Sequence, residues 1–287
     1  MSYKSARDAN TDDPKFSARA QLRLATAFLT RLPIEKSDAP ESEPSDTDAE
    51  FPEAGDARPT LAASIWLFPL VGFGIGGVGA IVLGLLAWTG VPAPVAATHG
   101  VAAMIWLTGA LHEDGLADIA DGFGGGRDKA AKLRIMRDSR IGTYGVVAVA
   151  IVLITRIAAL AALADWSIGA AAGAMIAGAT WSRALFAPTM RWLDKAREDG
   201  LGAGAGTPGE GTSWLGMLLA AALSLLVLLT PAGFGVILIL AAGALAAFLV
   251  GWIALKQIGG YTGDTLGAAQ QAADAAVLVA ASAIILG

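Results

Sequence analysis

The chain has 287 residues, 55% of them hydrophobic, with a mean hydropathy of +0.58. That is more apolar material than a soluble core of this size buries, which excludes a soluble globular protein and predicts an all-α, polytopic membrane helix bundle. The net charge of −5 reflects acids crowded into the N-terminal region and carries no argument about nucleic acid, which is not an expected partner, and the absence of cysteine excludes disulfides and thiolate metal sites.

In chain order, residues 1–15 are polar and lack the contiguous apolar stretch of a cleavable signal. Phe16 to Ile34 is expected to be an amphipathic helix lying along the membrane surface, with Leu24, Ala27 and Phe28 on one side and Arg19 and Arg23 on another. Residues 1–36 are therefore a tail plus an interfacial helix. Residues 37–59 contain eight acids interspersed with prolines, too little apolar surface to offset ordering entropy, and are expected to be a disordered linker. Residues 60–287 form the expected transmembrane catalytic domain. Runs near the roughly 20 residues that a bilayer demands predict about seven spans, at 64–88, 95–111, 143–163, 167–188, 213–230, 233–255 and 266–287. Eighteen of the 20 lysines and arginines fall in the N-terminal region and in alternate connections, which predicts a cytoplasmic N-terminus and cytoplasmic charged loops. Frequent small residues in the spans suit close helix packing and permit a homo-oligomer. A glycine-rich stretch, residues 200–213, suits either a mobile loop or a backbone approach to a ligand.

The densest chemistry lies in GALHEDGLADIADGFGGGRD, Gly109 to Asp128. Asp114, Asp118 and Asp121 stand at i, i+4 and i+7, within about 60° of one helical face. An ordinary positive-inside loop has no need of the six acids Glu113, Asp114, Asp118, Asp121, Asp128 and Asp138. Mutual repulsion would raise the aspartate pKa values unless a cation compensates, and oxygen ligands without cysteine favour magnesium or manganese over zinc. Glu113 points away from the aspartate face. A glycine turn and the cations Arg127, Lys129, Lys132, Arg134, Arg137 and Arg140 follow, an order suited to a phosphorylated ligand or to anionic lipid headgroups. Together the acids and bases point to a diphosphate held through a metal.

Three further features add to this reading. Asp264, among glycines in GGYTGDTLGA (Gly259 to Ala268), reads as a second metal ligand, a general base or a helix cap. Arg156 and Arg183 lie within apolar spans, where each must face a polar cavity, a carboxylate or a phosphate, Arg183 being near enough to a helix end to snorkel. His112 borders the aspartate face and is placed to ligate metal or transfer a proton, whereas His99 reads as a packed polar residue.

FLTRLP (Phe28 to Pro33), FPLVG (Phe68 to Gly72), the aspartate-rich segment, IMRDSRIGTYG (Ile135 to Gly145) and GGYTGDTLGA together resemble the cobalamin synthase, or adenosylcobinamide-GDP ribazoletransferase, family. The resemblance runs from about Phe28 to the C-terminus, and the acidic insert 37–59 is longer than that family usually carries. It implies a magnesium-dependent transferase of the bacterial inner membrane, with its site on the cytoplasmic side. Such an enzyme joins adenosylcobinamide-GDP to α-ribazole or α-ribazole 5′-phosphate through attack of a ribose hydroxyl, releasing GMP. On this reading Asp114, Asp118 and Asp121 bind Mg2+. Arg127, Arg137, Arg140 and Arg156 hold phosphate, and Asp138, Asp264 and His112 are the catalytic candidates. The DGLADIADG spacing is also similar to the acidic motif of CDP-alcohol phosphotransferases, whose second half is not reproduced. A lipid phosphotransferase and a cation-coupled transporter are the competing expectations. The transporter fits less well, because coupling acids usually sit at mid-bilayer and these sit at a span's end.

Overall fold

The structure is a computed structural model and describes residues 17–34, 59–197 and 205–287. The acidic linker expected at 37–59 lies outside these residues except for Pro59, as does the stretch 198–204 within and before the glycine-rich segment. The described residues are α-helical almost throughout and contain no strand.

Helix α1 (Ala18–Leu29) starts at Ser17, whose hydroxyl accepts from the Ala20 amide at 3.3 Å. Its inward face is Leu22, Ala25, Phe28 and Leu29, so the buried stripe follows i, i+3, i+6, i+7, while Ala27, expected on the apolar side, is exposed. The helix is stitched onto the bundle at both ends. Trp66 Nε1 donates to Gln21 Oε1 at 2.8 Å, and the Arg31 amide donates to the Leu107 carbonyl at 2.8 Å.

The short α2 (Leu61–Ser64) and a single 3₁₀ turn lead into α3 (Phe68–Trp88). Helix α3 packs against α8 (Ile168–Ala184) along a glycine face: a Cβ on Gly76 would stand 2.7 Å from the Ile176 Cα, so only glycine permits this approach. Helix α4 (Ala93–Thr108) ends where Gly109 and Ala110 both take left-handed backbone angles, φ 67° and 60°. Two such residues in succession cannot continue a right-handed helix. The chain therefore turns by 90° into α5 (Leu111–Gly125), which carries the aspartates. The sequence expectation of a span reaching residue 111 is corrected here: the helix stops at Thr108.

After α6 (Lys129–Ile135) come α7 (Thr143–Trp166), α8, the short α9 (Phe186–Trp192), α10 (Glu210–Ala232), α11 (Val236–Ile258) and α12 (Gly263–Leu286). Four stretches are long and apolar enough to cross a membrane: Leu61–Trp88, Thr143–Trp166, Glu210–Ile258 and Gly263–Leu286. The bent pair Ala93–Thr108 and Leu111–Gly125 passes the same test only together. Residues 210–258 reverse direction at Gly233, where φ is 54°. Val227 meets Gly173 and Trp66 meets Gly216, whereas beyond the turn Trp181 meets Gly243 and Trp192 meets Gly251, so α10 and α11 run oppositely beside α8. The outer surface is apolar, with Leu226 and Ile154 72% and 67% exposed, the inverse of a soluble protein.

Candidate functional site

The site is assembled where α5 crosses the start of α12. At the crossing, a Cβ on Gly115 would lie 3.0 Å from the Asp264 Cα, and one on Gly267 would lie 3.3 Å from the Cα of His112. Glycine on both helices lets their backbones touch, and this contact brings Asp264 to the aspartate helix. Thr262 caps α12, accepting from the Thr265 amide at 3.2 Å. Asp264 is thus not the cap; it accepts from the Thr262 hydroxyl at 3.2 Å and pairs with Arg197 at 3.5 Å.

Arg197 reaches that position because the segment after α9 pairs with the turn before α12. The Tyr261 amide donates to the Asp194 carbonyl and the Ala196 amide to the Tyr261 carbonyl, both at 2.9 Å. Nothing in the sequence distinguished Arg197 from the other cations of its loop, since its placement rests on that pairing across more than sixty residues.

Asp118 lies among like charges. Its carboxyl is pushed up to about 7, first by burial and then by Asp114, Asp264 and Asp121, with Arg197 acting in the other direction. One arginine faces four carboxylates, and such an excess is relieved by protonation or by a bound cation. The donor set of hard carboxylate oxygens therefore suits Mg2+ in chemistry and charge. As they stand, the side chains are not gathered: among the described residues no three His, Asp or Glu side chains converge closely enough to hold an ion.

Asp121 is engaged at the other end of the face. The Gly142 and Gly145 amides donate to its two oxygens at 2.6 and 2.9 Å, so this carboxylate tethers the start of α7 to α5. A Cβ on Gly145 would collide with that carboxylate, which explains glycine in the GTYG segment. Asp128 caps α6, accepting from the Ala131 amide at 2.8 Å. Asp138 and Arg140 form an exposed pair at 2.7 Å in the turn before α7, and this pairing holds the Asp138 carboxyl down at about 2. Arg127 and Arg137 are exposed. Lys132 Nζ donates to Gln257 Oε1, which fastens α6 to α11.

Arg156, expected at the phosphate, is placed elsewhere. Its guanidinium is buried in the bundle, 2.8 Å from Asp274 and 3.4 Å from Glu113, and it donates to Gln271 Oε1 at 3.1 Å. An apolar surround makes an unpaired charge costly, so the arginine is taken up by the nearest carboxylates. Gln271 also donates to Glu113 at 2.9 Å, and Gln270 donates to Ser182 at 2.9 Å. Arg183 is 3% exposed and donates to the Ala179 carbonyl at 2.9 Å, so it does not snorkel. His99, expected to be packed, is exposed with Nδ1 2.9 Å from the Val95 carbonyl.

Against Asp114 and Asp264 opens a cavity of about 150 Å3. His112 and Arg197 line it, together with an apolar wall that includes Phe28, Phe68 and Phe186. His112 is 1% exposed, so it faces this cavity, as Asp264 does, and not bulk water.

Comparison with known proteins agrees with the motifs. Residues 21–282 match the family model described as cobalamin-5-phosphate synthase. Three similar curated proteins bear the name adenosylcobinamide-GDP ribazoletransferase. The one from Mesorhizobium japonicum is 41% identical over 90% of this chain and 91% of its own length. The one from Bradyrhizobium diazoefficiens is 40% identical over 93% and 95%, and the one from Xanthobacter autotrophicus is 44% identical over 88% and 91%. No solved structure matches.

Proposed function

Because the chain belongs to the cobalamin-5-phosphate synthase family, we propose that it transfers the cobinamide phosphate of adenosylcobinamide-GDP to α-ribazole or its 5′-phosphate, with GMP as the second product. The observation that carries this reading is the Gly115–Gly267 crossing, which sets Asp114 and Asp264 in the lining of one cavity, with Asp118 within reach of their charge.

In this reaction a ribose hydroxyl oxygen bonds to the phosphorus nearer cobinamide, and the bond from that phosphorus to the bridging oxygen breaks, so that GMP departs with the electron pair. Asp264 lines the cavity and is the group we assign to accept the hydroxyl proton, with Arg197 holding its carboxylate in position. Arg127, Arg137 and Arg140 receive the diphosphate from the loop side, with Asp138 orienting Arg140. Asp114, Asp118 and Asp121 are the residues to hold Mg2+, which when bound would neutralise diphosphate charge and favour the leaving group.

The reading includes seven crossings with the N-terminus and the site on the cytoplasmic side of the bacterial inner membrane, supported by the lysine and arginine distribution. Trp88, Trp166 and Phe234 lie exposed at the connections that carry no lysine or arginine, as an aromatic belt at the opposite interface requires. Transport is disfavoured because the buried carboxylates Glu113 and Asp274 are both paired with Arg156. Purified protein supplied with adenosylcobinamide-GDP, α-ribazole and Mg2+ is expected to release GMP. Folded protein that releases none would overturn the assignment.

A further inference from the structure

The cavity beside the carboxylates has two unlike kinds of lining, and the aromatic part has no role in phosphate chemistry. Phe28 from α1 stacks on Phe68 at 5.8 Å between ring centres, Phe68 meets Phe186 edge-on at 5.9 Å, and the His112 ring lies 5.9 Å from Phe186. The four rings form one continuous row contributed by α1, α3, α9 and α5, and all four line the cavity. At the end of the row His112 is buried, yet its Nε2 has no hydrogen-bond partner. A buried ring nitrogen without a protein partner is free to hydrogen-bond a molecule seated in the cavity.

Size narrows the occupant. A cavity of about 150 Å3 is one that admits a single small aromatic molecule, and a corrin is far larger. Phenylalanine faces and edges favour a flat ring over an acyl chain. A ring with few polar atoms suits this wall, because each buried polar edge atom needs a partner.

We propose that this cavity seats the heteroaromatic base of the nucleoside acceptor, with Phe28, Phe68 and Phe186 against the ring and His112 Nε2 hydrogen-bonded to its polar edge. The inference rests on the transferase reading given above. Guanine of the donor is the competing occupant, and it fits less well because its many edge donors and acceptors would face phenylalanine. A base seated here carries its ribose to Asp114 and Asp264, which line the same cavity. The row thus acts in recognition and alignment, and α1 becomes part of the acceptor site.

The test uses the full chain in detergent, with steady-state kinetics varying each substrate and equilibrium dialysis with α-ribazole alone and with GMP alone. Phe28→Ala and His112→Phe are expected to raise the α-ribazole KM about tenfold, with a matching loss in dialysis, while the adenosylcobinamide-GDP KM and GMP binding stay unchanged. A change confined to the donor KM or to GMP binding would give the cavity to guanine and overturn the proposal, and so would unchanged constants for both. Should either variant fold poorly, Phe28→Leu keeps most of the volume without the ring and is expected to show the same selective loss. Wild-type protein that binds α-ribazole but releases no GMP would count against the transferase reading while leaving this cavity assignment standing.

Discussion

The Arg156 guanidinium lies 2.8 Å from the Asp274 carboxylate with both side chains almost fully buried, and it joins α7 to α12 in the interior of the bundle. Removing one partner strands the other. Asp274→Asn or Arg156→Met is expected to destabilise the protein by about 3–5 kcal/mol. The double variant is expected to cost less than the sum of the two, with chemical denaturation in mixed micelles as the measurement. Additive losses would show that the two residues act separately.

Two aspartates of one helical face should respond differently to the same change. Asp121→Asn removes charge from an acceptor of two amides and is expected to cost about 1–3 kcal/mol of stability along with activity. Asp118→Asn is expected to abolish GMP release while leaving melting temperature equal or higher, because it relieves repulsion. Melting curves and product release on the same preparations decide between these roles, and a stability loss in Asp118→Asn equal to that in Asp121→Asn would contradict the assignment.

The raised Asp118 carboxyl fixes the sign of a pH effect. Its folded value of about 7 lies above the ordinary value near 3.9, so the charged form is disfavoured in the fold and metal-free stability should fall as pH rises between those values. Mg2+ binds the deprotonated form, so its affinity should rise with pH, by up to about tenfold per unit below 7. Titrating the melting temperature with Mg2+ at pH 6 and pH 8 measures both. In Asp118→Asn the part of the pH dependence centred near 7 should vanish, and its persistence would place the titrating group elsewhere.

Arg140 and Asp138 are solvent-exposed, so neither should matter for folding. Arg140→Ala is expected to lower kcat/KM for adenosylcobinamide-GDP by about 10- to 100-fold, the range for a lost charge-assisted hydrogen bond to phosphate, with an unchanged melting temperature. Undiminished kinetics would remove Arg140 from the phosphate site.

The aspartate helix was legible in the sequence because helical spacing alone places Asp114, Asp118 and Asp121 together, and the family was legible in five motifs. The direction of that helix was not: Gly109 signals an end, but a left-handed Ala110 leaves no mark in composition. Glu113 was correctly set off the aspartate face, yet its partners Arg156 and Gln271 lie 43 and 158 residues away. Gln270, Gln271 and Asp274, polar residues within an apolar run, were the available signal for the buried network. Arg197 became visible only through the pairing of two distant turns.

The grip of Asp121 on the Gly142 and Gly145 amides has a consequence for the basic stretch 127–140, which lies between Asp121 and Gly142. A segment clamped at both ends explores far fewer arrangements than a free one, so its guanidinium groups cannot wander from the acidic face even before any anion arrives. One side chain thereby replaces a covalent cross-link in a polypeptide that has no cysteine with which to make one.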